Sequence, residues 1–219
     1  MPFAFNPVLH GLRGLAALGV LLFHWMQLFP AAATWLSTWR WGPEPWMNLS
    51  LPLANGWQGV PLFFVLSGFL LTSQWLQRPL AWSSIRTFWW RRFLRIYPAV
   101  WLQLLVLVAL AAGGWAWLGA EAGPRDWWLN ALLWINLPPA MAAPINGVWW
   151  TLPVELAFYL ALPGLVWLAR RIGWGWVLVL AWGVTVGWRA MVMQAHAGEN
   201  LAPHLHILDA LPGSLATFV

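Results

Sequence analysis

The segment 10-HGLRGLAALGVLLFHWMQLF-29 decides the fold class of this chain. Seventeen of its twenty residues are apolar, glycine or glutamine, and the exceptions are His10, Arg13 and His24. A run of this length and apolarity predicts a membrane-crossing helix, which takes about 20 residues. Ionisable groups at membrane depth are costly and usually face a bundle interior or a wet cavity. The guanidinium and the imidazole of this helix therefore need an explanation.

The composition of the whole chain is that of an integral membrane protein. Of its 219 residues 61% are hydrophobic and only 8% are charged, with a mean hydropathy of +0.66; soluble domains carry about 25% charged residues. The absence of cysteine excludes disulfides, thiolate nucleophiles and Cys-ligated metals, and no metal site is predicted. The net charge of +5 does not indicate nucleic acid, because the arginines cluster at the ends of apolar runs.

We predict an all-α fold, a polytopic transmembrane helix bundle. Five full spans are expected near residues 9–29, 57–77, 93–113, 149–169 and 173–193. A truncated sixth span begins near Asp209. The segment 127–139 is too short to cross a membrane, so an interfacial or re-entrant piece is expected there.

The arginines predict the orientation of the bundle. A short loop at 78–92 is expected to hold four of them, and two more lie between the fourth and fifth spans: Arg78, Arg86, Arg91, Arg92, Arg170 and Arg171. Positive loops stay in the cytoplasm. The N-terminus is therefore predicted to be cytoplasmic as well.

Arg13 and His24 share one face of the first predicted helix. They are eleven positions apart, which at about 100° per residue is nearly three whole turns and about 16 Å along the axis. One interpretation is a functional polar stripe that reaches mid-membrane. The other is structural: His24 hydrogen-bonds a neighbouring helix and Arg13 snorkels to lipid headgroups.

Arg92 and Arg95 lie three positions apart in "FWWRRFLRIYP" (88–98) and are therefore neighbours on one helical face. A pair of guanidinium groups suits phosphate. Membrane anchoring by positive residues also explains Arg92, but it explains Arg95 less well, because Arg95 is a turn into the predicted span.

Glu155 in "GVWWTLPVELAFYLALPGL" (147–165) is the only acid inside a predicted full span. Thr151 precedes it by one turn and Tyr159 follows by one turn, which makes a second polar stripe. A buried carboxylate needs a cation or a proton. A structural ion pair with one of the arginines is the alternative to a functional role.

Ser67-Gly68 in "GVPLFFVLSGFLLT" (59–72) permits close approach of helices. Ser67 has no base near it in sequence, so packing is favoured over a role as nucleophile.

These stretches together resemble acyltransferase family 3, bacterial membrane proteins that O-acetylate surface polysaccharides and other acceptors. The resemblance rests on "GLRGLAALGVLLFH", "GVPLFFVLSGFLLT", "FWWRRFLRIYPAVWL" and "WWTLPVELAFYLALPGL", in the order of the family. It covers residues 10 to 165, and "LDALPGSLATF" near the C-terminus is similar to a family helix start.

The resemblance implies a role for each polar stretch. Arg13 and His24 correspond to two residues of the first helix that are regarded as essential, with His24 as the expected catalytic residue and Arg13 and Glu155 as the other members of the expected catalytic set. Arg92 and Arg95 correspond to an Arg-x-x-Arg motif that handles acyl-CoA from the cytoplasm. The family motif Trp-Ser/Thr-Leu-x-x-Glu corresponds to Trp150, Thr151, Leu152 and Glu155, with Ser67, Trp150, Thr151 and Tyr159 in supporting positions.

Two features depart from the family. His10 stands where an acidic residue is common, so Arg13 lacks its usual neighbouring carboxylate. The family bundle has about ten helices, and the chain of residues 1–219 is therefore expected to be the N-terminal part of one transmembrane acyltransferase domain.

The resulting hypothesis is a multi-pass acyltransferase of the bacterial inner membrane. Acyl-CoA, in particular acetyl-CoA, is the expected donor substrate, and no cofactor is expected to be bound. The expected partners are a carbohydrate or other cell-envelope acceptor and the lipid bilayer, with no nucleic acid. The alternative is a transporter or channel in which His24, Arg13 and Glu155 form a relay.

Overall fold

The computed structural model describes residues 6–76, 79–114, 122–135, 142, 144–201 and 204–219. Throughout these ranges the regular elements are helices, which confirms the predicted all-α class. Five helical segments are long and apolar enough to cross a membrane. The chain divides into two compact units, Met1–Gln74 and Trp75–Val219.

The first unit holds the first three helices and most of the fourth. They are α1 (Pro7–Leu28), α2 (Pro30–Ser37), α3 (Ser50–Ala54), a 3-10 turn (Asn55–Gln58) and α4 (Gly59–Trp75). The second unit holds α5 (Trp82–Ala112), α6 (Pro124–Ala131), a 3-10 turn (Gly147–Trp150), α7 (Thr151–Ile172), α8 (Trp174–Ala195), α9 (Leu205–Leu208) and α10 (Leu211–Phe218).

Each of the five predicted spans corresponds to one of the five membrane-length helical segments of the structure. The predicted third span, 93–113, however, begins later than the helix itself, which begins at Trp82. The prediction of a loop over 78–92 is wrong from Trp82 onward, because α5 begins there. Arginine is a good helix former, yet it lowers local hydropathy, so the apolar run marks only the later part of the helix. Arg78 and residues 136–139 of the predicted interfacial segment lie outside the described residues.

The backbones of the first unit approach closely where α1 crosses the start of α4. A Cβ at Gly56 would overlap the carbonyl oxygen of Gly19, and a Cβ at Gly59 would lie 2.5 Å from the carbonyl oxygen of Ala16. Only glycine leaves room for such a contact. Small residues therefore set the distance between these two elements.

In the second unit a proline on α7 determines how α5 is attached. Pro163 lies inside α7 and has no N–H, so the carbonyl oxygen of Tyr159 loses its helical donor. The indole Nε1 of Trp89 on α5 donates to that oxygen at 3.0 Å. The proline thus frees an acceptor that ties the two long helices together.

Aromatic donors on α5 also satisfy the carbonyl oxygens at the end of the short helix α6. The Tyr97 hydroxyl donates to Leu132 and the Trp101 indole to Ala131, each at 3.0 Å. Asn130, fully buried, accepts a hydrogen bond from the backbone N–H of Ile145 at 2.9 Å. The ends of helices need such partners when water is absent.

Three helix ends meet on one side of the second unit. The guanidinium of Arg170, in the last turn of α7, donates to the backbone oxygen of Trp75 at the end of α4, 2.7 Å away. The Trp75 ring contacts Phe88 on α5 edge-on, with centroids 5.6 Å apart. The end of α4, the early turns of α5 and the end of α7 are therefore neighbours.

The last helices are joined by charge as well as by packing. Arg189 on α8 forms an ion pair with Asp209 at 2.5 Å and also donates to the backbone oxygen of Gly213 at 2.8 Å. In the preceding loop, His196 and Glu199 share a hydrogen bond of 2.9 Å, which holds the pKa of Glu199 below its usual range.

We expect Gly59→Ala to destabilise the chain by about 1–3 kcal/mol, because the added methyl group overpacks the contact with α1. Gly14→Ala on α1 is the matched control, since a Cβ there meets nothing within 4 Å. Thermal unfolding in detergent measures both. Equal stability of Gly59→Ala and the parent would contradict the close approach.

We also expect Trp89→Phe to destabilise the chain by about 1–3 kcal/mol, because it leaves the Tyr159 carbonyl oxygen without a donor. The double variant Trp89→Phe/Pro163→Ala should recover part of this loss, since an alanine N–H can donate to the same oxygen. Trp90→Phe, at a ring that is 59% exposed, is the control. Additive effects in the double variant would argue against this link.

Candidate functional site

A cavity of about 360 Å³ lies between α5 and α7 in the second unit. Its walls are mainly aromatic and aliphatic, with two guanidinium groups among them: Arg86, Trp89, Trp90, Arg92, Phe93, Tyr97, Leu156, Tyr159 and Leu160. Binding sites for small molecules typically combine apolar walls with a few polar groups. This cavity is the candidate site.

Arg92 is the polar group that distinguishes the cavity. Its guanidinium carbon lies 5.3 Å from the centre of the Tyr159 ring and 5.5 Å from that of Phe88, so it packs on two aromatic faces. Its Nε is buried and has no hydrogen-bond partner within the described part of the chain. A buried charged donor without an acceptor is costly.

Glu155 and Tyr159 form the polar pair on the α7 side. The Tyr159 hydroxyl donates to Oε1 of Glu155 one turn earlier, and the tyrosine is 1% exposed. Across the described residues Glu155 forms no ion pair with an arginine, so the structural ion pair weighed above is not present there. The tyrosine stands between the carboxyl group and Arg92.

The other residues of the predicted second stripe lie at the entry of α7. Thr151 donates its hydroxyl to the backbone oxygen of Val148 at 3.4 Å. Trp150 is partly buried in the last position of the 3-10 turn. These two residues lie where the 3-10 turn passes into α7, whereas Tyr159 lines the cavity and Glu155 accepts its hydroxyl hydrogen bond.

Arg92 and Arg95 have different surroundings although both lie on α5. Arg95 is exposed, while Arg92 is partly buried against Tyr159. Arg92 follows the first residue of α5, Trp82, by about 15 Å of helix. The prediction that Arg92 lies in the loop before the third span is therefore wrong, because α5 has several turns before this residue.

In the first unit, Arg13 and His24 lie on the continuous helix α1, and both are partly exposed. The His24 Nδ1 shares a hydrogen bond of 3.2 Å with Oε1 of Gln27, and its ring meets Phe23 edge-on. Ser67 on α4 is buried, 7% exposed. The continuous helix keeps the register in which Arg13 and His24 share a face.

Sequence reasoning missed Phe88, Trp89 and Gln27. Phe88 and Trp89 position Arg92 and Tyr159, and Gln27 orients the His24 imidazole. The signal for Phe88 was present, because it precedes Arg92 by four residues, a spacing at which a ring and a guanidinium group on one helix can form a cation–π contact. A glutamine three residues after a histidine on a helix is likewise within reach of it.

Comparisons with known proteins agree on one family. A family model described as an acyltransferase domain matches residues 6–204. "Nodulation protein 10" of Rhizobium leguminosarum bv. viciae is 32% identical over 212 residues, which covers 84% of this chain and 54% of that protein. "Acyltransferase MdmB" of Streptomyces mycarofaciens is 34% identical over 174 residues, covering 76% and 40%.

A shorter match joins the chain to "Peptidoglycan O-acetyltransferase OatA" of Listeria monocytogenes, 32% identical over 106 residues, or 47% of this chain and 13% of that protein. No solved structure matches. The chain spans about half the length of the curated relatives that it matches along most of its own length. The match over residues 6–204 shows that this chain belongs to the acyltransferase 3 family.

Proposed function

We propose that this chain is part of a membrane enzyme that transfers an acyl group, in particular acetyl, from acyl-CoA to a hydroxyl group. The acceptor class we favour is a carbohydrate or another component of the bacterial cell envelope. The observation that carries the proposal is Arg92, which lines an aromatic cavity and whose buried Nε has no partner among the described residues.

The cavity suits the anionic donor. Arg92 is held by the rings of Phe88 and Tyr159, so its guanidinium is preorganised for a phosphate or for the pyrophosphate of CoA. The rings of Trp90 and Phe93 are stacked at 5.5 Å and 8° and offer a flat surface to a base or an acyl chain. Arg95, exposed one turn further along, adds positive charge at the same side of α5.

His24 is proposed as the residue that handles the proton or the acyl group. As general base it takes the proton of the acceptor hydroxyl while the oxygen attacks the thioester carbon; the C–O bond forms, the C–S bond breaks, and the thiolate leaves and receives the proton. As nucleophile, a ring nitrogen first attacks the thioester carbon, so that a C–N bond forms, the C–S bond breaks and the CoA thiolate leaves. The hydroxyl oxygen then attacks the acyl carbon, the C–N bond breaks, and the freed imidazole takes the hydroxyl proton. Gln27 fixes the orientation of the ring in either route.

The remaining polar residues have supporting roles in this proposal. Arg13, on the face of α1 that it shares with His24, holds the donor or the helix in place. Glu155, which already accepts the Tyr159 hydroxyl, is available to the acceptor hydroxyl or to a cation. No metal or cofactor is part of the proposed reaction.

The proposed location is the inner membrane with the N-terminus in the cytoplasm. The meeting of the end of α4, the early turns of α5 and the end of α7 supports it, since Arg86, Arg91, Arg170 and Arg171 then share one side. The helix directions within the second unit give the same arrangement, because α7 runs towards this side and α5 runs away from it.

The names of the relatives favour acyl transfer over the transporter alternative, since two of the three are named as acyl- or O-acetyltransferases. Release of CoA from acetyl-CoA by the purified protein, dependent on an added hydroxyl acceptor, distinguishes the two. A protein that moves substrate across vesicles without releasing CoA would be a transporter.

We expect Arg92→Lys to weaken CoA binding by about tenfold or more, because one ammonium group cannot replace a stacked guanidinium fork. The exposed neighbour Arg91 supplies the matched control Arg91→Lys. Equilibrium binding of CoA to the intact protein in detergent measures both. Arg92→Ala with parental affinity would show that the donor binds elsewhere.

We expect His24→Gln to abolish transfer while CoA binding and thermal stability stay near those of the parent. His206→Gln, on the short helix α9, is the control. Acid quenching with labelled acetyl-CoA separates the two routes, since only an acyl-histidine leaves label on the protein. Substantial transfer by a folded His24→Gln variant would refute the assignment.

A further inference from the structure

We propose that His196, Glu199 and His204 form a binding site for one divalent transition-metal ion, with Zn²⁺ as the favoured ion. The three side chains come together in the segment between α8 and α9. The sequence did not predict this site, and the proposal does not depend on the acyl-transfer chemistry above.

The ligand atoms are already spaced for a single ion. Oε2 of Glu199 lies 2.9 Å from Nδ1 of His196 and 3.3 Å from Nε2 of His204, and the three atoms lie within 4.8 Å of one another. Tetrahedral Zn²⁺ with bonds of about 2.0–2.1 Å holds neighbouring ligand atoms about 3.4 Å apart. An ion therefore fits after small shifts of the side chains.

The donor set selects the kind of metal. Two imidazoles and one carboxylate suit zinc and its neighbours in the first transition row better than Ca²⁺ or Mg²⁺, which prefer oxygen ligands. Both histidine side chains are 26% exposed and the glutamate is 59% exposed. The glutamate side of the site is thus open, which leaves room for water as a fourth ligand.

The two imidazole rings are held face to face. Their centroids are 3.7 Å apart and their planes differ by 19°. The stacking holds both rings beside the Glu199 carboxylate, so that one nitrogen of each ring lies close to the same carboxyl oxygen.

The backbone supports each ligand separately. His196 follows α8 directly, and its N–H donates to the Val192 carbonyl at 3.1 Å. The N–H of Glu199 donates to the His196 carbonyl at 3.1 Å, in a turn where Gly198 has a φ of +89°. His204 precedes α9. A bound ion would therefore link the end of α8 to the start of α9.

The test uses intact protein purified in detergent through a tag that contains no histidine. After chelator treatment and removal of the chelator, zinc binding is measured by calorimetry and by elemental analysis. We expect one zinc per chain, and a loss of affinity of at least about tenfold in both His204→Ala and Glu199→Gln. Zinc should also raise the melting temperature of the parent but not of Glu199→Gln.

His206→Ala is the matched control, because it removes a histidine two positions from His204 that is not one of the three ligands. It should bind zinc like the parent. Absence of saturable zinc binding to the parent would overturn the proposal. So would an equal loss of affinity in His206→Ala and His204→Ala, which would indicate unspecific binding to histidine. Glu199→Gln, at an exposed side chain, keeps the test valid if His204→Ala does not fold.

Discussion

The packing of α5 on α7 in the second unit depends on one hydrogen-bond acceptor, the carbonyl oxygen of Tyr159. Pro163 deprives it of its helical donor, and the indole of Trp89 replaces that donor from α5. Leaving this carbonyl without a donor costs about 1–3 kcal/mol, so its hydrogen bond with the indole stabilises the packing of α5 on α7. The same hydrogen bond fixes the position of α5 along α7, and thereby places Arg92 against the Tyr159 ring. One proline therefore determines both the packing of α5 on α7 and the position of the candidate site.

The tryptophans of this chain act as single donors between elements. The indole of Trp101 satisfies the end of α6, that of Trp149 donates to Gln103 at 3.0 Å, and that of Trp188 donates to the carbonyl oxygen of Ile207 in α9 at 2.9 Å. Each indole brings a large apolar surface and one N–H, so it can pack in an apolar setting and still satisfy a free carbonyl. The short helices are held in this way although they are too short to be stable alone.

The sequence predicts those features of the structure that depend on residues close together in the chain, and fails for those that depend on contacts between distant segments. The helical class and the five spans follow from local hydropathy, and the register of Arg13 and His24 follows from the helical period. The start of α5 at Trp82 does not, because hydropathy measures apolarity and the early turns of α5 are rich in arginine.

Besides the start of α5, the sequence did not predict which side chains of different helices contact each other. The separate surroundings of Arg92 and Arg95 depend on where α7 packs on α5. The cluster of His196, Glu199 and His204 depends on a turn at Gly198 and on the position of α9. A spacing of three residues predicts which side chains are neighbours on one helix, but it cannot predict which of them a second element covers.

The arrangement of Arg92, Tyr159 and Glu155 explains how charged groups can remain available for chemistry inside an apolar bundle. A direct ion pair would satisfy both groups and would leave little for a ligand to gain. Here the tyrosine separates them: its hydroxyl binds the carboxyl group, and its ring supports the guanidinium. Arg92 thus keeps a buried N–H without a partner in the described residues, and Glu155 keeps a second carboxyl oxygen. The tyrosine holds the two groups in place without a direct ion pair between them, and the proposed binding of an anionic donor by Arg92 and of a hydroxyl group by Glu155 requires this arrangement.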